Sequence, residues 1–285
     1  MIIKNKVTII LAVTALFTIT LGIIAFLHPP ALYPDTSWGF QVLRGMRMGT
    51  GFNRLPLPNT DDITKTSTSF LAWWSPGQYL FPYLFIGLLK FKLGQAIAIT
   101  VTLCSLSGLT GLYLFFKKAG FSKTTSAVSV AFIACQQAFF IPYIFYNGGE
   151  ILLFAFAGWF LYGCLYFTRP NWKMSVFILL SGITGFICKS SFLWMFFTGV
   201  LYLWLINLRG KTWKQIFVNS CYTGVPFILS IAVIYYGYIL KGINPASSYL
   251  GFKLALQAIT FPLASPVLTM FSADNITLSY RPGTL

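Results

Sequence analysis

Acidic side chains are scarce in this chain: Asp and Glu total 5 of 285 residues, against 20 Lys and Arg. Charged residues of both signs reach only 9%, where a soluble domain carries roughly 25%. So few charges could not cover the surface of a water-soluble fold, and a disordered chain needs the opposite composition. Histidine is scarcer still. His28 is the only one, next to Pro29 and Pro30, which excludes a histidine-built zinc site. The cysteines (Cys104, Cys135, Cys164, Cys188 and Cys221) form no CxxC pair and lie in or at the edge of apolar runs. They read as buried thiols. No glycine-rich phosphate fingerprint, internal repeat or separate soluble domain is visible, so nothing points to a nucleotide pocket.

What the chain has in quantity is hydrocarbon. Hydrophobic residues make up 56% of it and the mean hydropathy is +0.74. The composition predicts an all-α, polytopic transmembrane helix bundle forming a single domain over 1–285. The first apolar run, 7–28, is long enough to span about 30 Å of hydrocarbon. It lacks a small-residue cleavage site, so it reads as an uncleaved helix and not a signal peptide. Residues 29–70 are polar and carry three of the five acids, Asp35, Asp61 and Asp62. Residues 71–93 are apolar but interrupted by Pro76 and Pro82. Further apolar runs fall at 95–116, 125–146, 151–168, 174–192, 193–208, 216–240 and 252–271.

The net charge of +15 comes from short clusters between these runs: Lys4 and Lys6; Lys117, Lys118 and Lys123; Arg169 and Lys173; Arg209, Lys211 and Lys214. That is the positive-inside signature. No nucleic-acid partner is expected, because neither a recognition module nor a continuous basic face is present. The expected partner is the lipid bilayer, and the expected location is the plasma (inner) membrane. With the basic clusters in the cytoplasm, the helices alternate only if 71–93 does not cross. Residues 29–94 then form a long outer loop carrying juxtamembrane helices. All five acids fall on the outer side, provided that 252–271 keeps Asp274 there.

A few positions carry chemistry. Asp35, with Thr36 and Ser37, suits the N-terminus of an amphipathic surface helix. Arg44 and Arg47, one turn apart on that helix, suit lipid headgroups or an anionic substrate group. Glu150 follows Gly148-Gly149 at the mouth of an apolar helix. There it is either favoured by the helix dipole or used in chemistry. Lys189 stands alone between two apolar runs, away from the basic loops. It either snorkels or binds phosphate. Trp73 and Trp74 suit interfacial anchoring, or stacking against a sugar.

In order, these elements resemble the GT-C superfamily of membrane glycosyltransferases. The nearest branch is that of the dolichyl-phosphate-mannose protein mannosyltransferases and aminoarabinose transferases. The resemblance runs through an outer-loop acid and helix (Asp35 to Gly49), the Trp74-Ser75-Pro76-Gly77 segment and the basic helix end Phe115 to Phe121. It continues with the second acid, Glu150, and the lysine-terminated helix Gly182 to Lys189, covering about residues 1–200. It implies transfer of a sugar from a polyprenyl-phosphate donor to an acceptor at the outer membrane face. Asp35 would be general base, Glu150 would position the acceptor or help to hold a divalent cation, and Lys189, with Arg44 or Arg47, would neutralise the lipid phosphate. Trp74 would contact the sugar. The family often has two adjacent acids where this chain has Asp35-Thr36, which leaves a metal open. Members are also longer, so the chain is expected to be a truncated one. A transporter or lipid flippase, and a non-catalytic membrane scaffold, are the rival expectations.

Overall fold

The computed structural model describes residues 2–59, 61–72, 74–208 and 211–242, without the side chains of 2–5. The expected run 252–271, Asp274, Trp73 and Arg209 lie outside the described residues. The structure is mostly helical, 74% helix and 6% strand. Helices α1 (Ile2–Leu27), α4 (Leu93–Lys118), α7 (Gly149–Tyr166) and α10 (Trp213–Gly237) are long and apolar enough to cross a membrane.

Around an apolar core, many large apolar side chains also stay exposed along the long helices. On α1, Val13, Leu16, Ile23 and Leu27 are each more than half exposed, whereas Thr14 and Thr18 are buried. Both threonine hydroxyls donate to the carbonyl four residues back, so neither carries an unpaired polar group inward. On α10 the buried side chains include Asn219, Thr223 and Ser230, while Ile228 and Val233 face out. Hydrocarbon on the outside, with polar side chains such as these turned inward, is what a lipid solvent selects.

Close approaches fix the relative directions. α1 and α4 run antiparallel, since a Cβ on Gly22 would meet Thr102 and one on Gly94 would meet Pro29. α4 and α7 run parallel through a seam of small residues. A Cβ on Gly158 would lie 2.5 Å from the Leu112 nitrogen, and one on Gly108 would meet Phe154. The Trp159 indole N–H donates to Ser107 across that seam. α8 (Trp172–Cys188) returns antiparallel to α7, with Gly163 against Phe177 and Gly149 against the Cys188 carbonyl. α9 (Phe192–Ile206) turns back along α8, and α10 runs parallel to α8, with Ser175 donating to the Tyr222 carbonyl. The basic clusters at Lys117–Lys123, Arg169–Lys173 and Lys211–Lys214 therefore share one end. Lys118 lies over the Tyr166 ring there. Asp35, Glu150 and Lys189 share the other end.

The segment after α1 differs in part from expectation. A helix is present at α2 (Pro34–Arg47), as expected, but an antiparallel hairpin follows it: β2 (Arg54–Pro58) pairs with β3 (Thr66–Phe70). α3 (Gly77–Leu89) has 13 residues, a rise of about 20 Å, which is too short for about 30 Å of hydrocarbon. The expected single helix 125–146 is broken into α5 (Lys123–Ala134) and α6 (Gln137–Ile144), bent by 47°. At the break, Gln136 Nε2 donates to the Phe132 carbonyl, satisfying an acceptor at the frayed helix end. α8 and α9 are also shorter than a full span. As a consecutive antiparallel pair they leave the direction of α10 unchanged.

Replacing Gly158 with Val should break the α4–α7 seam, because the new Cβ lands on backbone rather than on a movable side chain. A loss of about 1–3 kcal/mol is expected, read as a lowered thermal midpoint of the purified protein in detergent. An unchanged midpoint would show that the seam tolerates widening.

Candidate functional site

The site end is organised around Tyr146. Strands β1 (Ala31–Leu32) and β4 (Phe145–Tyr146) pair in parallel, Ala31 with Phe145 and Leu32 with Tyr146. The pairing continues as Tyr33 N–H donates to the Tyr146 carbonyl at 3.2 Å. The Thr36 hydroxyl lies 2.7 Å from the Tyr33 carbonyl and 3.2 Å from that of Tyr146. The Tyr146 hydroxyl donates to the Gln78 carbonyl at 2.6 Å, and the whole side chain is buried. One residue thus ties together the starts of α2, α3 and α7.

Two glycines let the remaining parts close. Gly148 has φ +63°, a conformation that side chains resist, and a Cβ there would lie 2.6 Å from both Gln78 Oε1 and Thr36 Cγ2. A Cβ on Gly77 would lie 2.4 Å from the Ile187 carbonyl oxygen, so the start of α3 meets the end of α8 backbone to backbone. Lys189 caps the C-terminus of α8 and so arrives beside Glu150, the first-turn acid of α7.

These elements enclose a cavity of about 760 Å³. Asp35, Glu150, Lys189 and Trp74 all line it. Arg44 and Arg47 do not: they line a separate groove between α2 and the α3–α4 turn. Glu150 and Lys189 form a direct ion pair. Asp35 makes no ion pair and no side-chain hydrogen bond among the described residues. Nor does it cap α2. The helix starts one residue earlier, at Pro34, with Tyr33 as the cap residue, because proline's fixed φ suits the first helical position. The Asp35 residue is exposed.

The structure adds residues that the sequence reading did not single out. Ser75 and Gln78 line the cavity, are more than nine-tenths buried, and have no partner for Ser75 Oγ or Gln78 Nε2 among the described residues. Both atoms can donate. The cavity also faces the first turns of α2, α3 and α7, whose helix dipoles favour negative charge. The signal available in sequence was two polar side chains flanking Pro76-Gly77 in an otherwise apolar run. Trp38 packs near Trp74, with ring centroids 6.3 Å apart, extending the aromatic wall. A second, apolar pocket of about 410 Å³, walled by Phe139, Pro142, Ile151 and Phe154, adjoins the first. Asn147 and Glu150 border both.

The donor set does not fit a protein-built divalent site. Among the described residues no group of three metal-ligating side chains occurs, and Lys189 already engages the Glu150 carboxylate. Comparison with family models, with curated proteins and with solved structures gives no match.

The two polar contacts should differ in their effect on stability. Tyr146→Phe orphans a buried carbonyl and is expected to cost about 1–3 kcal/mol. Lys189→Met removes a partly exposed ion pair and should change stability by less than about 1 kcal/mol. Denaturant unfolding of both variants checks this; an equal loss would make the ion pair structural.

Proposed function

We propose that the chain is a glycosyltransferase of GT-C type that moves a sugar from a polyprenyl-phosphate donor to an acceptor at the outer face of the membrane. The observation that carries this reading is one cavity holding a free carboxylate, a carboxylate–lysine pair, buried unpaired donors and three helix N-termini, with an apolar pocket against it. A polar, anion-favouring chamber joined to a hydrocarbon chamber matches a substrate with a phosphosugar head and a lipid tail. By the positive-inside rule, the end bearing the basic clusters faces the cytoplasm. The cavity then opens at the outer leaflet, where a lipid-linked donor needs no nucleotide pocket.

In this reading Asp35 takes the proton from the acceptor hydroxyl or amine. The acceptor heteroatom forms its bond to the anomeric carbon as the bond from that carbon to the phosphate oxygen breaks. The electron pair leaves with the lipid phosphate, and the sugar configuration inverts. Lys189, with the donors of Ser75 and Gln78 and the helix N-termini, stabilises the phosphate's growing charge. Glu150 holds Lys189 in the cavity until phosphate competes for it. Trp74 offers a face to the sugar.

Asp35→Asn should lower transfer from a radiolabelled polyprenyl-phosphate sugar by two to four orders of magnitude, the usual share of a general base, with insertion and folding unaffected. Glu150→Gln should also abolish transfer. Full activity in both variants would sink the assignment. In a cysteine-free background, cysteines at Ser190 and Lys123 should react with an impermeant maleimide from opposite sides, Ser190 from outside. Labelling of Ser190 only from the cytosol would invert the topology. One observation favours the rival reading of a transporter or flippase, namely the α5–α6 break, since broken helices are common in transporters. No charged side chain stands at that break, and substrate translocation without glycosyl transfer would reverse the ranking.

A further inference from the structure

The positive-inside rule leaves an exception on the proposed outer side. Residues 29–92 carry six basic side chains: Arg44, Arg47, Arg54, Lys65, Lys90 and Lys92. Lys65 pairs with Asp62 and Arg54 donates to Thr68, both on the β2–β3 hairpin. The other four have no acidic partner among the described residues. They gather at one place. Arg44 and Arg47, both exposed, stand in the last turn of α2 and line a groove of about 540 Å³. Its floor is Phe40, Leu43, Ile86 and Leu93. Lys90 and Lys92 form the exposed turn between Ile86 and Leu93. Met48, which also lines the groove, is 74% exposed, and Leu88 in the last turn of α3 is 77% exposed.

Unpaired cations above an apolar floor, beside exposed leucines, match the chemistry of the boundary between headgroups and acyl chains. Like charges one turn apart on a helix repel each other, so a bound anion would relieve a cost that the fold otherwise carries. We infer that this groove binds one anionic phospholipid of the surrounding leaflet, its phosphate between Arg44 and Arg47 and its acyl chains over Ile86 and Leu93. Guanidinium groups suit that task because their planar fork matches phosphate oxygens. Lys90 and Lys92 add charge at the rim. The groove is separate from the Asp35 cavity, so its occupant does not depend on what the cavity transfers. The bound lipid would hold α2, and with it Asp35 at the opposite end of that helix, at a fixed depth.

The test uses the full chain in phosphatidylcholine nanodiscs containing a minor share of phosphatidylglycerol, with retained lipid counted by native mass spectrometry. Wild type and Lys189→Gln should each retain one phosphatidylglycerol. The Arg44→Gln/Arg47→Gln variant should weaken retention roughly tenfold or more, and rising salt should weaken it in wild type. Arg44→Lys/Arg47→Lys, which keeps the charge, should retain an intermediate share and covers the case in which the neutral variant misfolds. Undiminished retention in the neutral variant, salt-insensitive retention, or equal retention of phosphatidylcholine would overturn the inference. So would loss in Lys189→Gln alone, which would place the lipid in the cavity.

Discussion

The site depends on the way two short, irregular backbone segments satisfy each other where no regular element can. The chain leaves α1 at Pro29-Pro30 and enters α7 through Asn147-Gly148, and at both points helical hydrogen bonding stops. Buried backbone groups left unpaired there would cost as much as a lost hydrogen bond or more. The β1–β4 bridge, the Tyr33–Tyr146 bond and the Tyr146 hydroxyl on Gln78 remove that cost together. Because they do, three helix N-termini are pinned against one another with their first turns facing a common space. The cavity is the space left between those ends.

The polarity of that space follows from the same constraint. Helix N-termini present N–H groups without intrahelical partners, and Ser75 and Gln78 add two buried donors. Against this background Lys189 would raise an already positive potential. Glu150 pairs with it and offsets that charge. Asp35 stands apart, exposed and without an ion pair or side-chain hydrogen bond among the described residues.

Some of this was legible from residue order. The scarcity of acids and the sorting of lysines and arginines into alternate loops predict that Asp35, Glu150 and Lys189 share one end, and the helix directions agree. The expectation that 71–93 does not cross rests on Pro76 and Pro82, and α3 is only 13 residues long. The hairpin at 54–70 was missed, although Thr66-Ser67-Thr68-Ser69-Phe70 is polar and β-branched in a way that suits a strand at a water boundary. The break at Cys135–Gln136 was missed because hydropathy averages over a window. A single glutamine that bonds the Phe132 carbonyl is invisible to it.

The sequence by itself determined that this is a hydrocarbon-rich, mostly helical chain with few acids and with its basic residues in short clusters between apolar runs. Water and lipid read composition directly, residue by residue, and that reading needs no knowledge of contacts. Only the tertiary structure decided that Trp74, Asp35, Glu150 and Lys189 line one cavity while Arg44 and Arg47 serve another groove. Asp35 and the two arginines ride the same helix, at opposite ends and on faces that spacing alone could not orient. What separated them is the packing of α2 against α3 and the Tyr146 bridge, made by residues more than 60 positions apart in the chain.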